Sequence, residues 1–202
     1  MRNITFDFLG QHRHGPAFHD YLRLRKAFFV DALKWDIPHN DDVEMDQYDN
    51  PCAHYSLVLI GGRVVGGARA MPTTAAWGHH TYMLRDAMRG CLDEIPASVM
   101  PTDIATTEVW ECTRLVICDS IATHAQRATC LSLIVEGLVE TANRHGGSEL
   151  VSLTRPPLMR ALRQLGFAAT RLGDPYRNET DGHEYAVLHM PAMASSHRIA
   201  AE

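Results

Sequence analysis

Long apolar runs are absent from this 202-residue chain. No stretch approaches the roughly 20 apolar residues that a membrane-spanning helix requires, so a helical membrane protein is excluded. The first residues, MRNITFDFLGQHRHG, alternate like a strand and lack the continuous apolar segment of a signal peptide. We therefore expect a cytoplasmic protein that has no membrane partner.

Metal-binding patterns are missing as well. The five cysteines are odd in number and include no CxxC pair, which favours reduced structural thiols over disulfides or a zinc cage. The histidines, including the pair His79 and His80, show no metal-ligand spacing. A calcium loop starting at Asp42 would place Gln47 at the obligatory glycine and Ala53 at the bidentate glutamate. We expect no metal site.

Lysine is scarce, because 17 of the 19 basic residues are arginine. The net charge of −5 excludes a general nucleic-acid binder, and arginine suits bidentate recognition of carboxylate or phosphate. The charge is also uneven along the chain. Residues 36–50 hold six acids and no lysine or arginine, whereas residues 125–177 hold seven arginines against four acids.

Hydrophobic and charged contents of 46% and 21% are typical of a globular protein, and neither a repeat nor a linker divides the chain. Apolar periodicity and Gly/Pro punctuation predict strands at 3–9, 54–60, 63–71, 108–118, 149–154, 167–172 and 184–190, and helices at 16–33, 83–89, 124–145 and 156–165. This order indicates one α+β sandwich with a mixed sheet. We assign residues 1–191 to a single domain and expect a mobile tail over 192–202.

The acidic segment 41–49, DDVEMDQYD, has two open interpretations. It is either a solvated loop or a loop anchored to the body of the protein. Three apolar or aromatic residues interleaved with the acids favour anchoring, namely Val43, Met45 and Tyr48. An anchored loop would bring its carboxylates near Arg69 or Arg114, or near a cationic ligand.

Residues 107–118, TEVWECTRLVIC, resemble a buried strand that carries Glu111 and Arg114. A buried charge costs several kcal/mol unless another group pairs with it. Positions 111 and 114 face opposite sides of a regular strand, so both serve one cleft only if a β-bulge lies near Cys112-Thr113. The alternative, in which Arg114 pairs with acids on the other side, stays open.

Arg25 and Phe29 lie one helical turn apart on the same face, and Trp35 follows at the helix end. Singly, they are explained as a surface arginine and two core aromatics. Together with the acids and the strand residues above, they resemble the acyl-homoserine-lactone synthases, the autoinducer synthases of bacterial quorum sensing. The family pattern is matched in order and at similar spacing by Arg25, Phe29, Trp35, Asp46, Asp49, Arg69, Glu111 and Arg114.

The stretches EMDQYD, ARAMPTT, TYMLRDAM and VWECTR extend the resemblance, which covers about residues 20 to 172. It implies a GNAT-like α/β/α sandwich with a mixed, splayed central sheet. It also implies that an acyl group passes from acyl carrier protein or acyl-CoA to the amine of S-adenosylmethionine, followed by lactonisation and release of methylthioadenosine. S-adenosylmethionine is then a substrate, and no cofactor is expected.

Two other functions remain open: a GNAT-like N-acyltransferase acting on another amine, and a non-catalytic member that binds acyl carrier protein or a regulator. The intact set of Glu111, Arg69 and Arg114 argues against the second of these. Within the resemblance, these three residues form the catalytic set. Glu111 is the general base, since the amine must be neutral to attack a thioester.

The substrate side of the resemblance assigns S-adenosylmethionine binding to Arg25, Phe29, Trp35, Asp46 and Asp49. The two aspartates would supply an anionic pocket for the cationic substrate, and the arginines would keep them ionised and grip its carboxylate. The aromatic pair would order the N-terminal region over the adenosine or sulfonium, with cation–π attraction of about 0.5–2 kcal/mol. A backbone N–H freed where two strands splay would hold the oxyanion.

The donor side departs more from known patterns. Classical GNAT proteins bind pyrophosphate at a Gly-rich loop before the central helix, but residues 119–129 contain no glycine, which favours a carrier-protein donor and leaves CoA open. The candidates for the acyl pocket and for donor docking are Val151, Thr154, Arg155, Arg160 and Arg163. The three arginines would dock the acidic carrier protein or form a solvated basic face.

Two local departures from the family also bear on the acyl group. Some members that prefer 3-oxo chains carry threonine where this chain has Val151, which disfavours a 3-oxo group. The insertion AAWGHH, residues 75–80, lengthens the segment after ARAMPTT, and its Trp77 either lines a site or caps one.

Overall fold

The computed structural model describes residues 1–195. Of the predicted tail, residues 196–202 lie outside the described residues. Ala192 and Ser195 are buried; the N–H of Ala192 donates to the carbonyl of Ser148 at 2.8 Å, and the hydroxyl of Ser195 donates to the carbonyl of Leu165. The domain boundary at 191 stays a prediction.

The described residues form seven strands and four α-helices in nearly the predicted order. The strands are β1 (Arg2–Asp7), β2 (His54–Ile60), β3 (Arg63–Pro72), β4 (Val109–Ile117), β5 (Glu149–Thr154), β6 (Thr170–Arg177) and β7 (Glu184–Pro191). The helices are α1 (Ala17–Arg25), α2 (Met83–Met88), α3 (His124–Arg144) and α4 (Pro157–Gln164). A 3-10 segment (Phe8–His14) precedes α1, and a π-helical segment (Lys26–Ala32) continues it.

The strands follow the order β1-β2-β3-β4-β5-β7-β6. The pairs β1–β2, β2–β3, β5–β7 and β6–β7 are antiparallel, while β4 and β5 are parallel, so the sheet is mixed as predicted. β6 begins and ends later than expected. Gly173, Asp174 and Pro175, which follow the predicted end of the strand, lie inside it, where its register with β7 shifts between Leu172 and Tyr176.

The chain divides into two compact units. The first comprises Met1–Ala70 and Arg114–Leu138, and the second comprises Met71–Thr113 and the residues from Val139 on. β3 and β4 each contribute residues to both units. No helix among residues 1–195 is both long and apolar enough to span a bilayer.

Two adjacent glycines set how closely the helices of the first unit approach its strands. Gly66 and Gly67 are neighbours in β3, so they face opposite sides. A methyl group on Gly66 would lie 2.8 Å from the sulfur of Cys130 in α3, and one on Gly67 would lie 3.0 Å from the ring of Tyr21 in α1. α1 and α3 therefore cover opposite faces of β3.

In the second unit, the parallel pairing of β4 with β5 is short. Val109, Trp110 and Glu111 pair with Glu149, Leu150 and Val151. β5 then continues to Thr154 paired with β7. The pairing between β4 and β5 therefore ends at Glu111, which is the position where the predicted splay of the sheet would begin.

Candidate active site

Six charged side chains of the first unit meet in what we term the ionic cluster. Its members are Arg25, Glu44, Asp46, Asp49, Arg69 and Arg114. Three arginines come from the end of α1 and from β3 and β4, and three acids come from the loop between Ala32 and His54. The cluster therefore brings together five of the eight residues that carry the family resemblance.

Arg25 and Asp49 form the most complete pair of the cluster. The Nη1 and Nη2 of Arg25 each donate to one carboxylate oxygen of Asp49 at 2.8 Å, and its Nε donates to Glu44 at 2.5 Å. Asp49 also accepts from the hydroxyl of Tyr55 at 2.9 Å and from the backbone N–H of Asp46 at 3.0 Å. The side chains of Arg25 and Asp49 are completely buried.

Arg69 joins the two aspartates. Its guanidinium holds Asp46 with distances of 2.5 and 3.2 Å and lies 3.0 Å from Asp49. Tyr55, its partner across the β2–β3 pair, donates to the same carboxylate of Asp49. Adjacent positions on two strands thus aim a guanidinium and a phenol at one aspartate.

Arg114 closes the cluster from β4. Its guanidinium lies 2.7 Å from Asp46 and 3.3 Å from Glu44. Its backbone has φ +56°, the left-handed region, where a side-chain-bearing residue is uncommon and which marks one kind of bulge in a strand. This irregularity falls one residue after the predicted Cys112-Thr113 bulge, and the convergence of Glu111 and Arg114 on one cleft stays a prediction.

The predicted aromatic pair contacts the cluster through Arg114. The guanidinium of Arg114 lies 5.4 Å from the ring centroid of Phe29, within cation–π range. Phe29 stacks on Trp35 with centroids 5.1 Å apart. Phe29 is buried in the π-helical segment and Trp35 is half-buried, so a chain of contacts runs from the cluster to a partly accessible indole.

Each buried ion costs several kcal/mol in desolvation. In the ionic cluster this cost is offset because every arginine is paired with at least one acid. Burial alone would raise the pKa of Asp46, but the guanidinium groups of Arg69 and Arg114 lower it. The pKa of Asp49 is likewise lowered by Arg69 and Arg25 against the effect of burial. Both aspartates are therefore ionised at neutral pH.

These lowered pKa values predict that the protein loses stability in acid. The unfolded chain takes up protons at its aspartates near pH ~4, above the depressed pKa values of Asp46 and Asp49 in the folded protein. The contribution of the two carboxylates is therefore fully present above that pH and is lost as the pH falls toward the folded values. Urea unfolding of wild type and of Asp49→Asn between about pH 3 and 6 checks this, and the variant should show the weaker pH dependence.

Tyr21 supports the unusual backbone of Arg114. It is fully buried, its hydroxyl donates to the carbonyl of Arg114 at 2.8 Å, and its ring lies 5.4 Å from the guanidinium of Arg25. We expect Tyr21→Phe to lower the free energy of unfolding by about 1–2 kcal/mol, because it leaves a buried carbonyl without this donor. Denaturant unfolding measures the change, and an unchanged midpoint would show that the bond contributes nothing.

Glu44 is the cluster member that the sequence interpretation did not assign to the site. It is fully buried and pairs with Arg25 and Arg114. From residue 44 the loop alternates, with Glu44, Asp46 and Tyr48 buried and Met45 exposed by 39%. The expected anchoring by Met45 is wrong, because Met45 faces away from the side on which Glu44 and Asp46 are buried.

Glu111 belongs to the second unit, where its carboxylate accepts hydrogen bonds from the first residues of α2. Its two carboxylate oxygens accept from the backbone N–H groups of Met83 and Leu84 at 2.9 and 2.8 Å. The residue is 1% exposed. The first N–H groups of a helix have no partner within the helix and carry partial positive charge, so this arrangement accommodates a buried carboxylate.

The predicted donor-side residues are dispersed along one part of the second unit. Val151 is buried in β5 and pairs with Glu111, whereas Thr154 is half-buried at the end of that strand. Arg155, Arg160 and Arg163 are exposed at or before α4. The Nε of Arg163 donates to the carbonyl of Ala169 at 2.7 Å, so one of the three arginines has a partner within the fold.

The cysteines and acidic residues of the described part of the chain do not form a metal-binding site. Among residues 1–195, no three His, Cys, Asp or Glu side chains come together in an arrangement that would hold a metal ion. None of the five cysteines, all of which lie within residues 1–195, forms a disulfide, and Cys112 and Cys130 are buried. Burial raises the pKa of Cys130 to about 11, so this thiol is protonated at neutral pH.

Comparison with known proteins shows which family this chain resembles. The autoinducer synthase family profile matches residues 11–199. An acyl-homoserine-lactone synthase from Rhizobium radiobacter is 30% identical over 192 residues, covering 92% of this chain and 84% of the relative. Another, from Rhizobium etli, is 28% identical over 174 residues, covering 85% and 76%.

Two solved structures share the fold. TofI, in a ternary complex with an inhibitor and MTA, has a TM-score of 0.74 and 24% identity, covering 97% of this chain and 94% of its own. BjaI, a CoA-dependent acyl-homoserine lactone synthase with SAM and isopentyl-CoA, has a TM-score of 0.73 and 22% identity, covering 94% and 82%. The predicted fold class is confirmed, and the chain belongs to the autoinducer synthase family.

Proposed function

We propose that this protein synthesises an N-acyl-L-homoserine lactone. The acyl group moves from a thioester of acyl carrier protein or coenzyme A to the α-amine of S-adenosylmethionine. The methionyl carboxylate then displaces methylthioadenosine and closes the lactone, so S-adenosylmethionine is consumed as a substrate and no cofactor takes part. The observation that carries the proposal is the family match over residues 11–199.

The ionic cluster would act as a rigid frame for the methionyl end of the substrate. Its three arginines and three acids cancel in charge, so the aspartates do not form an unopposed anionic pocket. Arg25 and Arg69 are fully buried and keep Asp46 and Asp49 ionised, whereas the side chain of Arg114 is 9% exposed. Arg114 is therefore our choice for the group that grips the substrate carboxylate.

Phe29 and Trp35 are our candidates for contact with the adenosine or the sulfonium. Phe29 already has a cation, Arg114, within 5.4 Å of its ring centroid. Trp35, stacked on Phe29 and half-buried, offers the more accessible aromatic face. A sulfonium over that face would gain about 0.5–2 kcal/mol.

Glu111 is the general base of the proposal. Asp46 and Asp49 are poor bases because their pKa values are lowered by arginines, and a base is most effective when its pKa lies near the working pH. The amine proton passes to Glu111, directly or through one water, as the nitrogen bonds to the thioester carbon. The carbon–sulfur bond then breaks, and the thiolate leaves.

For the donor, we favour acyl carrier protein. The exposed side chains of Arg155 and Arg160 offer positive charge to an acidic partner, and the segment before α3 has no glycine. Val151 and Thr154 on β5 are our candidates for contact with the acyl chain. The setting that we propose is the cytoplasm, since the five cysteines, all within residues 1–195, are thiols and not disulfides, as is usual in reducing compartments.

Mass spectrometry of lactones extracted from a host that expresses the protein is the direct test. We expect an N-acyl-homoserine lactone in that host and none in a host carrying the empty vector. Purified protein should also release methylthioadenosine from S-adenosylmethionine only when an acyl thioester is present. Acylation of a different amine without this release would favour the alternative, a GNAT-like N-acyltransferase.

A further inference from the structure

A second buried carboxylate, Asp86, lies at the same helix end as Glu111. α2 has only six residues, and its N-cap residue, Tyr82, makes no capping hydrogen bond through its side chain. A helix this short is marginal by itself, so its start must be fixed by other groups. Glu111 accepts the N–H groups of Met83 and Leu84, and the direction of those N–H groups depends on the residues that precede them.

Asp86 fixes those preceding residues. It is 1% exposed, and its side chain reaches back past the N-cap to Thr81. One carboxylate oxygen accepts from the N–H of Thr81 at 3.0 Å and from its hydroxyl at 2.5 Å; the other lies 3.2 Å from the same N–H and 3.3 Å from the Nδ1 of His80. Every one of these bonds joins the body of α2 to the segment that enters it.

Asp86 and Glu111 bind different backbone N–H groups at the start of α2. Asp86 takes the N–H of Thr81, outside the helix, and Glu111 takes the first two N–H groups inside it. Burying one carboxylate is costly, and a serine, threonine or asparagine at the N-cap would satisfy a short helix without burying two. Burying two carboxylates at the start of α2 therefore costs more free energy than capping this helix requires.

We propose that Asp86 is a positioning residue for Glu111: through Thr81 it sets the angle at which α2 enters, so that two N–H groups hold the Glu111 carboxylate in its working orientation. This role rests on the proposed function, in which Glu111 removes the amine proton. A misplacement of about 1 Å can cost roughly a hundredfold in rate, so a positioning residue without substrate contact has a measurable effect.

The first test needs no activity. Hydrogen exchange is followed in the full-length Asp86→Asn protein, with Asp103→Asn as a control. Asp103 is also a carboxylate that binds α2, but it does so through the side chain of Arg85 and not through Thr81. We expect the amides of Met83 and Leu84 to exchange about tenfold faster, or more, in Asp86→Asn, and at the wild-type rate in Asp103→Asn. Unchanged exchange in Asp86→Asn overturns the proposal.

The second test is kinetic and uses S-adenosylmethionine with octanoyl-acyl carrier protein and, separately, octanoyl-coenzyme A. We expect Asp86→Asn to lower kcat for methylthioadenosine release by about 10–100-fold, with the KM for S-adenosylmethionine within about twofold of wild type. Thr81→Val, which removes only the hydroxyl donor, should lower kcat in the same way, and Thr81→Ser should keep it. Thr81→Val also carries the test if Asp86→Asn does not fold.

A merely structural role gives different results. It predicts losses of kcat that multiply when Asp86→Asn is added to Glu111→Gln, whereas a residue that acts through Glu111 adds no further loss in that background. Multiplying losses, or a kcat unchanged in Asp86→Asn, overturns the positioning role. The absence of any N-acyl-homoserine lactone from the expressing host refutes the proposed function instead, while the exchange result still reports on the contact between Asp86 and Thr81.

Discussion

Replacing Glu111 by glutamine is expected to lower kcat for lactone formation by about 10²–10⁴-fold, the usual contribution of a general base. Glutamine has nearly the same shape but does not take up the amine proton. Binding of S-adenosylmethionine should change by less than about threefold, since the group that is lost acts in the chemical step. Steady-state release of methylthioadenosine and calorimetric titration with S-adenosylmethionine measure the two quantities.

The controls for Glu111→Gln follow from its contacts. Its amide would place N–H donors against one of the two N–H groups of α2, which costs about 1–3 kcal/mol of stability, so the folded fraction is measured first. Glu108→Gln makes the same chemical change at an exposed position three residues earlier and should leave kcat unchanged. If the Glu111→Gln enzyme turns over at the wild-type rate, Glu111 is not the base.

Asp49→Asn is expected to lower the free energy of unfolding by about 3–5 kcal/mol, because it breaks a fully buried ion pair from one side. Asp49 holds Arg25 through two hydrogen bonds, contacts Arg69 and accepts from Tyr55. Asparagine offers one oxygen in place of two and leaves the guanidinium groups with uncompensated charge. Urea unfolding monitored by fluorescence and circular dichroism measures the difference.

Asp42→Asn is the matched control in the same loop. Asp42 pairs with His19 and Arg23, but about half of its side chain is exposed, so its removal should cost no more than about 1 kcal/mol. Equal and small effects of the two substitutions would contradict the view that the ionic cluster holds the acidic loop to the first unit.

Much of the fold followed from local patterns. Residues 149–154 and 54–60 are strands with the predicted bounds, because both are apolar runs with clear stops. The end of β6 did not follow, since Gly173 and Pro175 are turn residues in most contexts and only pairing with β7 keeps this segment extended. The π-helical segment Lys26–Ala32 has the same apolar spacing as an ordinary helix and was predicted as one.

The site residues that match the spacing of the family pattern were predictable from the sequence. Those whose role depends on being buried beside distant residues were not. Asp46 and Asp49 stood out through that spacing. Glu44 did not, because its role depends on Arg25 and Arg114, which lie far apart in the chain. The link from Asp86 to Glu111 was hidden for a similar reason: it runs through backbone N–H groups, and these have no signature in an amino-acid sequence.

The neighbouring glycines of β3 carry a consequence for how this protein can vary. A methyl group at Gly67 would collide with the side chain of Leu57 and lie 3.0 Å from the ring of Tyr21, whose hydroxyl donates to the carbonyl of Arg114, a residue with left-handed backbone. Adding one carbon at Gly67 would therefore press on the residue that supports Arg114, as well as on the core residue Leu57. A substitution at Gly67, which has no side chain of its own, would thus reach the backbone of Arg114 through the displacement of Tyr21.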